Sequence, residues 1–410
     1  MSKRMKTILI ALAGLFLLAV LGLQIPTVKS AVSWRFEKFA IYAKNVVNPP
    51  GPVPTALPVT PVPMTPTTVP TSTLRPATSK PTLPPTPTSI PLPAQVSLPS
   101  PPYEQQTPNN CGPATLSMAM HLYGWEGDQE EIADQIKPVL QDRNVNPEEM
   151  TYYVRNFAGW LNVQYRVAGD IHMLKKLLAA GYPVIVESVT SLDPNDALGP
   201  TDDLWAAHYL LLTGYDDGTQ TFTIQDSYHG ADMTISYEQL EEEWEPFNNL
   251  YMVIYFPDNE AALPSLLGAD WDPTTNRQRA LDESLAAVQA DSNDAYAWFN
   301  MGSNLVYFER YDEAAQAYDK SREIGLPMRM FRYQFGPFWA YFHSDRIDDL
   351  LALTDYARGI TDMSEEAWLW YGWGLYRKND FAGARDAWNK ALSINDSSYV
   401  DAYNALEYVQ

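Results

Sequence analysis

Cysteine is almost absent from this sequence, since Cys111 is the only one among 410 residues. A single thiol cannot form a disulfide within the chain. A structural zinc site is also excluded, because it needs several sulfur or histidine ligands at short spacing and the five histidines are scattered. We therefore predict no metal and no cofactor. The thiol must be either an inert buried side chain or a reactive one.

Basic side chains are scarce as well. The chain has 28 Lys and Arg against 50 Asp and Glu, which gives a net charge of −22. The deficit falls on residues 103–410, with 19 basic and 49 acidic side chains, whereas residues 1–102 carry nine basic side chains and one acidic. A folded part of this charge repels phosphate backbones, so nucleic acid is excluded as a partner.

An apolar segment stands near the N-terminus. Three basic residues precede an uncharged run over 7–25. The length fits an uncleaved anchor, or a signal peptide whose removal would give a secreted protein. We predict a signal-anchor helix over 1–30 and a juxtamembrane helix over 31–48. The basic end places the short side in the cytoplasm, so the protein would be a single-pass membrane protein with an extracytoplasmic C-terminal part.

Proline and threonine dominate the next segment. Residues 49–102 hold 19 of the 33 prolines and 11 threonines. Proline fixes φ and lacks an amide donor, so we predict a disordered linker that forms neither helix nor sheet ladder. Fully extended, such a linker would reach about 150 Å at 3.1 Å per residue, which suits a spacer between a membrane and a folded domain.

The residues around Cys111 favour a reactive thiol. Pro113 suits the first turn of a helix, an apolar pattern follows from Leu116, and Gly124 is a plausible end. Cys111 would then sit at the N-terminus of a buried helix. Unpaired amides and the helix dipole there stabilise a thiolate and lower the pKa of the thiol.

A thiolate nucleophile needs an imidazole and a group that orients it. His208 opens a predicted hairpin with strands over 208–215 and 220–226. A three- or five-residue loop, or a bulge, would place His208 and Asp226 on one sheet face, whereas a two-residue turn would separate them. His229, just past the second strand, is the alternative base.

Acyl transfer also needs hydrogen-bond donors for the developing oxyanion. The backbone N–H of Cys111 is one candidate. A side-chain amide shortly upstream would be the second, and Gln105 lies six residues before the cysteine. The adjacent Gln106 leaves this assignment open.

These motifs together resemble the C39-like cysteine peptidases of the papain superfamily. Gln105, the Cys-Gly-Pro-Ala stretch from Cys111, "AAHYLLLTGYDD" and "FTIQDSY" occur in the family's order over roughly residues 100–257. The resemblance implies an α+β papain-like cysteine peptidase domain, which we place at 103–258, with a peptide or protein substrate. It implies that Cys111 is the nucleophile, His208 the general base, Asp226 its orienter and Gln105 the oxyanion donor.

Two features depart from that family. Asp226 is followed by serine, where the family often has proline. No transporter segments are present, although family members fused to transporters remove double-glycine leaders from exported peptides. The resemblance therefore transfers the reaction class and not that specific role.

An acidic loop over 191–205 precedes His208. It would serve as a flap over the site, select basic substrates, or bind calcium. A plain solvated loop is the default interpretation.

The C-terminal region is repetitive. Residues 294–327 and 364–397 align at a shift of 70, or two repeats of about 35, with a degenerate copy between them. This resembles tetratricopeptide repeats, and we predict an all-α TPR-type repeat domain over 274–410. Gly302 and Gly372 would let two helices pack closely. The domain would bind a peptide or protein partner, or would be a purely structural extension.

The sequence as a whole predicts a membrane-tethered extracytoplasmic cysteine peptidase with a repeat module for a protein partner. One alternative is a catalytically inactive surface scaffold that binds proteins. Another is an amidase or transferase that acts on cell-wall peptides through the same triad.

Overall fold

The fold is taken from a computed structural model of the chain. It describes residues 5, 26–47, 49–58, 91–196, 202–396 and 400–409. The predicted apolar anchor run over 7–25 and linker residues 59–90 therefore lie outside the described residues. Within the described ranges, no helix is both long and apolar enough to cross a membrane.

Residues 1–51 and 191–205 form one unit. Its described helix, α1, runs Pro26–Val47, so it begins before the juxtamembrane helix that we predicted over 31–48. Within this unit, the Lys38 ammonium donates to the Asp196 carboxylate of the acidic loop. Across the described ranges, no group of three or more His, Cys, Asp or Glu side chains is arranged to hold a metal ion.

The remaining residues form the second unit, which starts with a seven-stranded sheet. Its strands are β1 (Gln95–Ser97), β2 (Asn162–Arg166), β3 (Val184–Ser191), β4 (Trp205–Asp216), β5 (Thr221–Asp226), β6 (Gly230–Ser236) and β7 (Tyr251–Tyr255). They lie in the order β2-β7-β3-β4-β5-β6, and β1 pairs with β4. The described pairings are antiparallel.

Helices pack against both faces of this sheet. They are α2 (Cys111–His121), α3 (Gln129–Ile136), α4 (Pro147–Phe157), α5 (Ile171–Ala179) and α6 (Tyr237–Trp244). Alternation along β3 separates two cores, because Val184 and Val186 pack with α5 and α6 whereas Ile185 packs with α2, α3 and α4. Helix α2, which begins at Cys111, is thus supported by one complete core.

Strand β1 corrects one prediction. We expected no ladder anywhere in 49–102, but Gln95–Ser97 pairs with β4. The stretch from Ala94 to Leu98 contains no proline, so its amides can bond, and Leu98 N–H donates to the Thr213 carbonyl at 2.8 Å. Gly214 permits the approach, since a Cβ there would lie 2.5 Å from the Val96 carbonyl oxygen.

The C-terminal region is helical. Its helices are α7 (Leu263–Leu267), α8 (Pro273–Ala290), α9 (Ala295–Tyr307), α10 (Tyr311–Ile324), α11 (Gly336–His343), α12 (Ile347–Ile360), α13 (Glu365–Arg377), α14 (Phe381–Ile394) and α15 (Val400–Leu406). The pairs α9–α10 and α13–α14 are offset by 70 residues, as the alignment predicts. A Cβ on Gly302 would lie 2.7 Å from the Tyr318 ring, and one on Gly372 would lie 2.4 Å from Trp388 Nε1. The predicted glycine packing is therefore present in both pairs.

The sheet and the helical region share a polar junction. Asn395 Nδ2 donates to the Ile136 carbonyl at 2.8 Å and to Glu365 Oε1 at 2.9 Å. Asn146 Nδ2 donates to Glu366 Oε1 at 2.8 Å. These bonds fix α3 and α4 of the first region to α13 and α14 of the second.

Three carboxyl groups are buried at this junction, those of Asp142, Glu365 and Glu366. Burial raises the pKa of Asp142 to about 7, although the Lys137 charge opposes the shift. Burial also raises the pKa values of Glu365 and Glu366. Burial therefore favours the protonated forms of these carboxyl groups, and protonation reduces the repulsion among them.

Candidate active site

Cys111 is the first residue of α2, as the sequence predicts. The Asn110 side chain does not cap this helix; the Asn110 carbonyl accepts the Ala114 amide at 2.9 Å. Gly112 lets the helix start pack closely, because a Cβ there would lie 3.1 Å from Val145 Cβ. The half-buried thiol is consequently held at a helix end whose first amides point toward it.

The hairpin that carries the other two residues contains the bulge that the triad requires. Asp216 pairs with Thr221, so the loop has four residues. Continued without interruption, that register would put Asp226 opposite Leu211, on the other face from His208. A register shift between Leu212 and Gly214 moves the partner of Asp226 to Leu210, on the face of His208.

The three side chains lie next to one another, with His208 in the middle. His208 Nε2 lies 2.8 Å from Asp226 Oδ1, and the imidazole is close enough to the Cys111 thiol to lower the pKa of that thiol. Because Nε2 bonds to the Asp226 carboxylate, Nδ1 is the ring nitrogen left to interact with the Cys111 sulfur. His208 is only 3% exposed, so this pairing is shielded from bulk water.

The pKa values of the three groups follow from this arrangement. Burial alone would raise the pKa of the Cys111 thiol, but the hydrogen bond and charge of His208 bring it below its usual value. Burial would lower the pKa of His208, yet Asp226 and Cys111 raise it to about 9. Burial would raise the pKa of Asp226, but its bonds to His208 and His229 hold it well below its usual value. The site therefore favours a thiolate–imidazolium pair.

His229, the alternative base, contacts the carboxylate. Its Nδ1 lies 2.8 Å from Asp226 Oδ2, and its side chain is 43% exposed. The Tyr228 and His229 amides also donate to Asp226 Oδ1, at 2.8 and 3.0 Å. His208, which reaches both the thiol and the carboxylate, fits the role of base better.

The two glutamines differ in what their side chains bind. Gln105 Nε2 donates to the carbonyls of Ser227 and Tyr228, each at 3.0 Å, so this amide is already used by the loop after β5. Gln106 Oε1 accepts from the Ser227 hydroxyl at 2.9 Å, a bond that leaves its Nε2 donor to point elsewhere. The Gln105 amide donor is therefore engaged in this structure, and both glutamines stay candidates for the oxyanion donor.

Two further residues near the thiol escape sequence reasoning. Lys137 is 2% exposed and its Nζ lies 3.3 Å from Asn110 Oδ1, and its charge helps to lower the pKa of Cys111. Glu187 is buried in β3, where burial and the negative charge of Cys111 raise its pKa well above the usual value. Glu187 could have been noticed in the sequence, because it is a glutamate within the apolar run that starts at Val184. No sequence feature points to Lys137.

A cavity of about 610 Å³ lies between the sheet region and the helices. Residues in its wall include Tyr152, Tyr165, Glu187, Arg277, Trp339 and Trp370. The helical region thus provides aromatic surface beside the strand that carries Glu187.

The region that contains the seven-stranded sheet is a papain-like α/β domain. Residues 97–252 match the model of the Peptidase_C39 like family, which confirms the resemblance predicted for this part of the chain. No curated protein matches the chain.

Solved structures with similarity to the chain include peptidases and a helical repeat protein. A C39-like peptidase from Bacillus anthracis is 17% identical, with a TM-score of 0.31, over 39% of this chain and 97% of its own. Xylellain, a cysteine protease from Xylella fastidiosa, is 19% identical, with a TM-score of 0.31, over 40% of this chain and 87% of its own. YrrB, a TPR protein with an unusual peptide-binding site, is 19% identical, with a TM-score of 0.28, over 37% of this chain and 74% of its own.

Proposed function

We propose that the protein is a thiol hydrolase of peptide bonds, with Cys111 as nucleophile, His208 as general acid and base, and Asp226 as the group that orients His208. The observation that carries the proposal is the position of the buried His208 side chain, 2.8 Å from the Asp226 carboxylate and close enough to the Cys111 thiol to lower its pKa. The match to the Peptidase_C39 like family supports the same reaction class.

The reaction would proceed in two steps. The Cys111 thiolate attacks the amide carbonyl carbon, and the displaced electron pair forms an oxyanion that accepts from the Cys111 N–H and Gln106 Nε2. The C–N bond then breaks as imidazolium His208 gives its proton to the leaving amine. Neutral His208 next takes a proton from water, whose oxygen attacks the thioester, and C–S cleavage restores the thiolate and the imidazolium.

Alkylation tests the activated thiol directly, because Cys111 is the only cysteine and any added mass reports it. At neutral pH we expect iodoacetamide to modify Cys111 roughly tenfold faster than a free cysteine, since its lowered pKa keeps the thiolate populated. His208→Ala leaves burial, which raises the thiol pKa, and should abolish the advantage. Intact mass against time gives the rates, with His229→Ala as the matched control. Free-cysteine behaviour in the wild type would instead favour an inactive scaffold.

The two glutamines make a matched pair for mutagenesis. Gln106→Ala should lower kcat by roughly 10²- to 10³-fold, the usual effect of losing one oxyanion donor. Gln105→Ala removes bonds to the 227–228 loop and should cost far less in kcat. Steady-state kinetics on a peptide substrate decides between them, and a larger loss for Gln105→Ala would return the assignment to Gln105.

We also propose that the apolar run over 7–25 anchors the protein in a membrane, with the hydrolase on the extracytoplasmic side and the TPR-type region available to a protein partner. The basic residues before that run support this orientation. Alkaline extraction of membranes from cells that express the full chain is the test, and release of intact protein into the soluble fraction would refute the anchor.

A further inference from the structure

Segment 52–58, at the start of the proline-rich tract, lies on the helical region in the second unit. Proline-rich segments normally keep their backbone solvated. Here Val53 is buried to 8% exposure, although the segment forms no helix or strand. The buried side chain and the backbone bonds described below show a specific contact surface.

Arg322 of α10 binds the carbonyl of Pro54. Its Nε and Nη2 donate to that oxygen at 2.9 and 2.5 Å, and its Nη1 donates to the Tyr341 hydroxyl at 2.7 Å. The Arg322 side chain has no exposed surface. A buried guanidinium needs acceptors for its N–H groups, and the Pro54 carbonyl accepts from two of its nitrogens, Nε and Nη2.

Asp349 of α12 binds the chain three residues further on. The Leu57 amide donates to Asp349 Oδ1 at 2.9 Å, while Arg346 donates to Asp349 Oδ2 at 2.8 Å. The Leu57 side chain itself is 49% exposed. The site therefore recognises a backbone carbonyl and a backbone amide, and it holds Leu57 by its N–H rather than by its side chain.

This surface is separate from the cavity described above. Arg322 and Asp349 lie on α10 and α12, whereas Trp339 and Trp370 of the cavity lie on α11 and α13. Repeat packing does not demand the arginine either, because Leu392 stands at the position 70 residues later. Arg322 is therefore not a feature that the two aligned repeats share.

We propose that Arg322 and Asp349 form a docking site for an extended, proline-containing peptide backbone, and that segment 52–58 of the same chain is its resident occupant. The inference does not depend on the proposed hydrolase function.

Hydrogen exchange on the full-length wild type tests occupancy without any substitution. The Leu57 amide should exchange roughly tenfold or more slowly than a free chain, because its bond is to a carboxylate. Asp349→Ala should remove that protection, and circular dichroism should show unchanged helix content. Exchange of Leu57 at the free-chain rate in the wild type would overturn the proposal.

A labelled peptide of residues 51–59 tests the site itself. Leu57→Pro removes the donor and should vacate the site, so the peptide should bind this full-length variant roughly tenfold more tightly than the wild type. Leu57→Ala keeps the amide and is the matched control, with wild-type behaviour expected. Equal binding to all three proteins would refute the site. A wild-type dimer that Leu57→Pro dissociates in light scattering would refute occupancy by the same chain.

Discussion

Replacing Cys111 by alanine is expected to remove peptide hydrolysis, with a loss of roughly 10⁴- to 10⁶-fold in kcat. The reason is that, in the proposed mechanism, His208 and Asp226 only activate the sulfur of Cys111. Without the sulfur, only the rate acceleration due to the oxyanion donors and to substrate binding remains. Initial rates on a peptide substrate, measured with full-length wild type and Cys111→Ala purified in parallel, check this.

The same pair of proteins separates hydrolysis from transfer. Adding an amine acceptor to the wild type and identifying products by mass shows whether water or the amine takes the acyl group. Thermal unfolding of Cys111→Ala should match the wild type, which excludes misfolding as the cause. Equal activity in the two proteins would exclude the thiol mechanism.

Asp226→Asn is expected to cost roughly 10²- to 10⁴-fold in kcat, because the amide no longer holds the imidazole in the right tautomer. It should also move the alkaline limb of the pH–rate profile to lower pH. Asp226 helps to raise the pKa of His208 to about 9, so its loss lets the catalytic imidazolium deprotonate earlier as pH rises. Profiles of kcat against pH for both proteins give the shift.

His229→Gln is the matched control for that substitution, because His229 contacts the other oxygen of Asp226 and is largely exposed. We expect kcat to stay within roughly threefold of the wild type, since the bond between His208 and Asp226 remains. A loss as large as that of Asp226→Asn would make His229 part of the mechanism and would reopen its role as base.

Much of the site could be predicted because its constraints are local. Pro113 and the apolar pattern from Leu116 specify a helix that begins at Cys111. Side-chain alternation in the hairpin required a bulge or an odd loop to bring His208 and Asp226 to one face, and the structure has the bulge. Repeat periodicity likewise predicts helices whose bounds recur after 70 residues.

The rest depends on contacts between residues distant in sequence. Whether Gln105 or Gln106 is free to donate is decided by Ser227, more than a hundred residues later. Lys137 follows an ordinary amphipathic helix, and its burial beside Asn110 arises only when α2, α3 and the helical region pack together. The proline-rich composition also gave no indication of β1, because a few proline-free residues within the tract are enough to pair with β4.

The buried acids at the junction have a consequence for how the chain is divided. The change from sheet to helices after residue 258 marks a change of architecture, yet the buried carboxyl groups of Asp142 and Glu365 interact electrostatically across it. Cutting there would remove Glu365 and Glu366 from beside Asp142, and Lys137, next to the start of α2, would lose the charge of Glu365. The sheet region and the helical region are accordingly better viewed as parts of one packed unit than as interchangeable modules.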